Sequence, residues 1–222
     1  MTACADIAVA VLAAGQGRRF GSNKLMADLD GRPLGLYIAQ TMVPMDFGGR
    51  FAVCGKDAAI GQHFSNAGFV VIGNDRPEAG QAYSLHLAVK AAEATRTQAL
   101  LVVLADMPFV SVKHIAALVA AYDGDIIAST EGKAKMPPAI FPRDSWPMLL
   151  STNGDAGARA LLKNAALITA PPDELRDIDV AADLPTRLFD DYQATVSLDE
   201  ADARQSCARP IFPLRNYGPV HR

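Results

Sequence analysis

The sequence predicts a doubly wound α/β fold, a mostly parallel β-sheet with helices on both faces. Three observations carry this expectation. Short apolar runs alternate along the chain with alanine-rich stretches of helical pattern. The runs are apolar throughout and not at every second residue, as in strands buried on both faces. The length of 222 residues, half of them hydrophobic, suits one large domain of this kind.

The elements follow in order. Ile7–Leu12 reads as a buried strand that runs into glycines. Leu34–Met42 reads as a helix with Pro33 in its first turn, where a missing N–H costs nothing. Arg50–Cys54 is a second strand, Asp57–Asn66 a helix capped by Asp57, and Phe69–Ile72 a third strand. Ser84–Ala94 is a helix and Ala99–Ala105 the most strongly apolar strand. Ser111 caps a helix that runs to Tyr122, and Asp125–Ser129 is a further strand. Beyond Ser129 the rhythm changes. Lys133–Pro147 carries Pro137, Pro138, Pro142 and Pro147, and proline donates nothing to a ladder, so a loop and a short edge strand are expected. Asp155–Asn164 reads as a helix, Ala166–Thr169 as a strand and Ala181–Phe189 as a last helix. The signal fades after Asp190. The expected division is a domain over 1–190 and a tail over 191–222 that is mobile or packs on a partner.

Composition excludes several functions. With net charge -3 and pI 5.8, the chain lacks the basic footprint of a nucleic-acid binder. Its longest apolar run, Ile7–Ala14, falls short of the roughly 20 residues that cross a bilayer, so no membrane partner is expected. Met1–Asp6 has no basic segment and places Asp6 before the apolar run, unlike a signal peptide. Cys4, Cys54 and Cys207 form no CxxC pair, which speaks against a disulfide framework or a zinc site and for a reducing cytoplasm.

Open parallel sheets bind ligands beyond the carboxyl ends of their strands, so the residues after each strand matter most. After the first strand comes LAAGQGRRFGSNK, residues 12–24. Gly15, Gly17 and Gly21 let backbone N–H groups approach an anion, and Arg18, Arg19 and Lys24 add positive charge in an acidic protein. The physical reading is a polyphosphate cradle; the bland one is a solvated turn. The spacing GxGxxxG is not the dinucleotide fingerprint, and neither Gly55-Lys56 nor Gly132-Lys133 is followed by the Ser or Thr of a P-loop. The second site is Asp106, at the end of the most apolar strand and followed by Pro108. It suits a Mg²⁺ that bridges phosphate oxygens and keeps several waters. The alternative is a helix cap, but Ser111 is better placed for that.

These motifs resemble those of the MobA-like nucleotidyltransferases. Residues 12–25 are similar to the LAAGxSxRxGxxKL signature, Leu104-Ala-Asp-Met-Pro108 to the LxDxP metal loop, and Gly80-Gln-Ala-Tyr-Ser-Leu85 to the GxxxSL turn. GDAGARALL at 154–162 and DIDVAADL at 177–184 resemble GDxGARxLL and DIDTPEDL of the molybdenum cofactor cytidylyltransferase branch. The resemblance implies a Rossmann-like three-layer α/β/α sandwich of the nucleotide-diphospho-sugar transferase type. It also implies Mg²⁺-dependent transfer of a nucleoside monophosphate, CMP from CTP, to a phosphorylated acceptor of molybdopterin type, with release of pyrophosphate. On that resemblance Arg19, Lys24 and Asp106 are the catalytic residues. Leu12, Ala13, Ala14, Gly15, Gly17, Gly21, Lys24, Gly80 and Ser84 bind the nucleotide. Asp106 and Asp179 hold the metal, with Asp177 an alternative to Asp179. Asp155, Arg159 and Pro138 face the acceptor, although Arg159 also suits an ion pair with Asp155 four residues earlier. Ala14, where the guanylyl branch has glycine, favours the cytidylyl branch. Val180-Ala181-Ala182 in place of Thr-Pro-Glu, and Lys135-Met136 before the prolines in place of a glycine, set the chain apart from the pattern.

Alternatives remain open. The acceptor is otherwise a sugar or methylerythritol phosphate, or the nucleotide is GTP. A reading from another class is a non-catalytic chaperone that passes a nucleotide or pterin to a molybdoenzyme or its chaperone. Outside these motifs, His63, His86, His114 and His221 show no metal-ligand spacing and read as structural or surface residues. Trp146 reads as a packing anchor and Cys54 as a small buried hydrophobe.

Overall fold

The computed structural model describes residues 3–15, 23–55, 58–132, 134–154 and 158–184. Its elements are β1 (Ile7–Ala13), a small ribbon of β2 (Asp28–Leu29) and β3 (Arg32–Pro33), α1 (Leu36–Met42), β4 (Gly49–Cys54), α2 (Ala58–Asn66) and β5 (Val70–Gly73). There follow α3 (Gln81–Glu93), β6 (Ala99–Leu104), α4 (Val112–Ala121), β7 (Ile127–Thr130), β8 (Lys135–Pro142), α5 (Trp146–Leu150) and β9 (Ala166–Thr169). A seven-stranded sheet runs in the order β5-β4-β1-β6-β8-β7-β9. β5, β4, β1 and β6 are mutually parallel, β8 is antiparallel to both of its neighbours, and β9 is parallel to β7.

Side-chain alternation divides the core between the two faces of the sheet. Ile7, Val9 and Val11 of β1 pack with Ile38 and Met42 of α1, Phe64 of α2 and Leu118 of α4. Ala8, Ala10 and Leu12 pack with Leu85 and Val89 of α3 and with Trp146 and Leu149 of α5. Successive residues of a strand point to opposite faces, so a run apolar at every position demands cover on both sides. The result is the expected three-layer sandwich.

Some expectations need correction. Lys135–Pro142 is not an edge strand; it lies between β6 and β7. Pro137 and Pro138 escape the ladder, and Pro142 stands at its end, opposite Ala99. The β6–β8 pairing covers only Ala139 to Pro142, and the β7–β8 register jumps from Ala128↔Ala139 to Ser129↔Met136. Pro137 and Pro138 fall in that irregularity, where no N–H is required of them. Pro147 sits in the first turn of α5, which the proline count had hidden inside a loop. Pro33 belongs to β3 and the first helix starts later, at Leu36. The third helix starts earlier than expected, at Gln81, because Gly80 takes φ of +83° and turns the chain into it. Residues 158–164 form turns and a short 3₁₀ segment, Leu161–Asn164, in place of an α-helix. Of the last expected helix residues 181–184 are described, and Ala181–Asp183 among them is also 3₁₀. Asp57, the rest of that helix and the tail over 191–222 lie outside the described residues.

One packing detail gives a test of the fold. A Cβ on Gly48 would lie 2.2 Å from the Ala5 carbonyl oxygen and 2.7 Å from Thr97 Cγ2, whereas one on Gly73 meets nothing within 4 Å. Gly48→Ala is expected to destabilise the protein by about 1–3 kcal/mol through overpacking, toward the upper end because the obstacle is backbone. Gly73→Ala should stay within about 0.5 kcal/mol of the parent. Urea unfolding, read as a midpoint shift at constant slope, checks both.

Candidate active site

The carboxyl ends of β1, β4, β5 and β6 lie side by side, and Lys24, Asp106 and Asp179 meet at the end of β6. Asp106 follows β6. Lys24 opens a 3₁₀ turn, Lys24–Met26, that Asn23 caps by accepting from the Leu25 N–H at 3.1 Å. Asp179 arrives from far along the chain because the Ile178 N–H donates to the Asp106 carbonyl at 2.9 Å and the Ile178 side chain is fully buried. Asp183 then closes the segment, its Oδ2 accepting from the N–H groups of Asp179 and Val180 at 3.1 and 2.9 Å.

These backbone ties bring three functional groups into contact. The Lys24 ammonium donates to Asp106 Oδ2 at 2.7 Å and to Asp179 Oδ1 at 3.1 Å. Lys24 is buried, 8% exposed, while the Asp179 side chain is 50% exposed. Burial alone would depress the Lys24 ammonium. Asp106, and then Asp179, outweigh it and hold Lys24 above its ordinary value, so it stays charged. Asp177 lies close by. Burial, then the charges of Asp106 and Asp179, push its carboxyl above the usual range against the pull of Lys24. Asp106 Oδ1 is buried and has no hydrogen-bond partner among the described residues. A buried carboxylate oxygen without a donor is costly, and a cation is the natural partner for it. Among the described residues no cluster of three or more metal-ligating side chains occurs. The donor set therefore fits a hard cation that takes one or two carboxylates and completes its shell with water and phosphate oxygens.

Beside this cluster lie the carboxyl ends of β1, β4 and β5. Leu12 and Ala13 end β1, and Ala14 and Gly15 follow it; Ala14 is buried, and a Cβ on Gly15 would meet nothing within 4 Å among the described residues. A Cβ on Gly55 would lie 3.8 Å from Ala14, an ordinary contact. Gly80 turns the chain into α3, and Ser84, 5% exposed, lies in the first turn of that helix. Asn74 was not singled out in the sequence, yet it is buried and its amide reaches Ser84 Oγ at 2.9 Å. The available signal was an asparagine directly after a strand, within Gly73-Asn74-Asp75-Arg76-Pro77.

On the other side, Pro138 is buried in β8 and its carbonyl accepts from Ser129 Oγ at 2.7 Å. His114 Nε2 lies 2.7 Å from the same Ser129 oxygen. Since the serine proton goes to Pro138, Nε2 is the donor in that contact. Burial holds the His114 imidazole below its ordinary value, against the charges of Glu174 and Glu131. His114 is thus a structural clamp, as expected. Arg159 is exposed. Gly17, Arg18, Arg19, Gly21 and Asp155 lie outside the described residues. Trp146 is a packing anchor, its Nε1 donating to the Phe141 carbonyl and Arg143 stacked over its ring. The Cys54 thiol is buried and pushed up to about 12, which makes it inert.

Comparison with known proteins agrees with this geometry. The MobA-like NTP transferase domain family matches residues 9–170. The purine catabolism protein PucB of Bacillus subtilis (strain 168) is 32% identical over 183 residues, which cover 76% of this chain and 89% of PucB. Among solved structures, a nucleotidyl transferase from Methanothermobacter thermautotroptrophicus, Mth528, superposes with a TM-score of 0.69 at 20% identity, over 80% of this chain and 93% of that one. Rv0371C of Mycobacterium tuberculosis H37Rv in complex with manganese gives a TM-score of 0.60 at 20% identity, over 86% and 98% of the two chains. The structural likenesses concern the fold.

Proposed function

The chain belongs to the MobA-like NTP transferase family of nucleotidyltransferases, and from that premise we propose that it transfers CMP from CTP to the phosphate of a molybdopterin-type molybdenum cofactor, releasing pyrophosphate. The observation that carries the reaction type is the convergence of Lys24, Asp106 and Asp179 at the carboxyl end of the central strands. An acceptor phosphate oxygen attacks the α-phosphorus in line. The bond from that phosphorus to the bridging oxygen breaks, and pyrophosphate leaves with the electron pair. Such transfer needs positioning and charge stabilisation more than a protein nucleophile. Lys24 meets the charge that builds on the leaving group. Arg19 and the glycines Gly15, Gly17 and Gly21 line the same loop and serve the triphosphate. Asp106 and Asp179 hold a divalent cation, Mg²⁺, which neutralises phosphate charge when bound. Asp179 is the better second ligand, since it shares the Lys24 ammonium with Asp106. The manganese in Rv0371C supports a divalent ion in this fold.

The cytidylyl branch and the pterin acceptor rest on Ala14 and on the 154–162 and 177–184 segments, with Asp155, Arg159 and Pro138 on the acceptor side. Purine breakdown, in the name of PucB, suits a recipient enzyme for the product. The buried thiol of Cys54 suits a cytoplasmic setting. Among the described residues no helix is long and apolar enough to cross a membrane.

Pyrophosphate release measured with each of the four triphosphates and bound molybdenum cofactor tests the proposal. CTP should give the highest kcat/KM. Ala14→Gly should narrow the gap to GTP by about tenfold to a few hundredfold, the effect of one methyl on discrimination. Equal use of GTP by the parent would overturn the cytidylyl assignment. CTP binding without release from any acceptor would favour the chaperone reading.

A further inference from the structure

We propose that Asn74 is a positioning residue that fixes the Ser84 hydroxyl as a hydrogen-bond donor to the nucleobase, and so sets the preference for a base with an acceptor edge. The inference rests on the nucleotidyltransferase reading and names how this site selects its base.

Asn74 is 2% exposed and is bound at three points. Its backbone N–H donates to the Cys54 carbonyl at 2.7 Å, which pins the end of β5 to the end of β4. Its side-chain oxygen accepts from the Arg76 N–H at 2.8 Å. Its side-chain nitrogen lies 2.9 Å from Ser84 Oγ. The orientation of the amide follows from chemistry. A backbone N–H only donates, so the atom facing Arg76 is the oxygen. The atom facing Ser84 is then the NH₂, which only donates. Ser84 Oγ accepts that bond, and no acceptor for its own proton is found among the described residues. The proton is thus left to point away from Asn74.

The loop that carries this pair is itself braced. Arg76 stacks over the Tyr83 ring with 5.2 Å to the centroid, and the Tyr83 hydroxyl donates to Asp75 Oδ1 at 3.0 Å. Asn74 therefore sits on a braced turn, tied through the Cys54 carbonyl to the strand end that leads into Gly55, and it reaches Ser84 on the first turn of α3. A hydroxyl restricted to donation suits the N3 and O2 acceptors of cytosine. It meets the N1–H and N2–H₂ donors of guanine without a bond, which leaves a buried polar group unpaired.

The test changes the sense of the hydroxyl. In Asn74→Asp, both carboxylate oxygens accept, so Arg76 keeps its bond while Ser84 must donate inward and presents an acceptor to the base. Calorimetric titration at pH 8 with CTP and with GTP, each with Mg²⁺, gives the ratio of the two affinities. The ratio is expected to shift toward GTP by about tenfold, the worth of one buried hydrogen bond. Ser84→Ala, a mild change within a helix, should shift it the same way, and Asn74→Asp should add nothing in the Ser84→Ala background. A ratio unchanged in Ser84→Ala, or an Asn74→Asp effect that persists without Ser84, overturns the proposal. The readout is a change in ratio. A parent that binds GTP better would sink the cytidylyl assignment, yet the same shift on substitution would still support the role of Asn74. If Asn74→Asp does not fold, Asn74→Ala takes its place: it frees the hydroxyl to turn and should shift the ratio the same way, and a ratio equal to the parent's overturns the proposal.

Discussion

Asp106→Asn is expected to lower kcat by about a hundredfold or more while the protein melts within a few degrees of the parent. The substitution keeps shape and volume. The amide oxygen still faces Lys24, and the backbone bond from Ile178 to the residue 106 carbonyl is untouched. What disappears is a negative charge beside a buried ammonium, and with it a buried carboxylate oxygen that meets no donor among the described residues. If that oxygen holds the divalent cation, its loss removes charge stabilisation at the phosphorus, and single electrostatic groups of this kind are worth about 10²–10³ in rate. A helix-capping role predicts the reverse pattern: altered stability with turnover retained. The structure already gives that role to Ser111, whose Oγ accepts from the His114 N–H at 3.0 Å. Pyrophosphate release at saturating Mg²⁺, beside thermal melting, separates the two. More than about a tenth of parental activity would remove Asp106 from the site.

The parts of the fold legible in the sequence were those written locally. A run such as Ile7–Ala13, buried at every position, needs no distant information to be read as an inner strand. The Ser111 cap follows from a hydroxyl placed before an apolar helix. The errors arose where tertiary pairing overrode local chemistry. Pro137 and Pro138 argued against an inner strand, and only the register of β7 shows that both fall in an unpaired irregularity. The site divides the same way. Lys24 and Asp106 were visible as charges placed after strands. Their contact with Asp179 depends on Ile178 bonding to the Asp106 carbonyl, a pairing between distant segments that no spacing encodes. Asn74 was missed for a related reason. Its importance lies in what its amide touches, and an asparagine after a strand is an ordinary turn residue until Ser84 is seen beside it.

Lys24→Met should separate turnover from metal binding by moving them in opposite directions. The methionine approximates the length of the stem and suits the burial of residue 24. Turnover should fall, and kcat more than the KM for the triphosphate. Charge on the departing pyrophosphate grows toward the transition state, so a cation aimed at it contributes most there. In the nucleotide-free protein, however, Lys24 occupies the position between Asp106 and Asp179 and supplies the positive charge that both carboxylates need. A divalent ion approaching them meets a like charge that is already paired. Without the ammonium the carboxylates are left uncompensated, with Asp106 only 21% exposed, and their attraction for a cation rises. Titration of the nucleotide-free protein with Mn²⁺, followed by the loss of its free-ion paramagnetic resonance signal, should therefore show tighter binding in Lys24→Met by about tenfold. Asp179→Asn in the same background should abolish the gain, because it removes the second of the two released carboxylates. Mn²⁺ affinity equal to or weaker than that of the parent would mean that the pair clasped by Lys24 is not the metal site. An unchanged kcat with a raised KM would instead make Lys24 a residue that holds the triphosphate before and during transfer with equal strength.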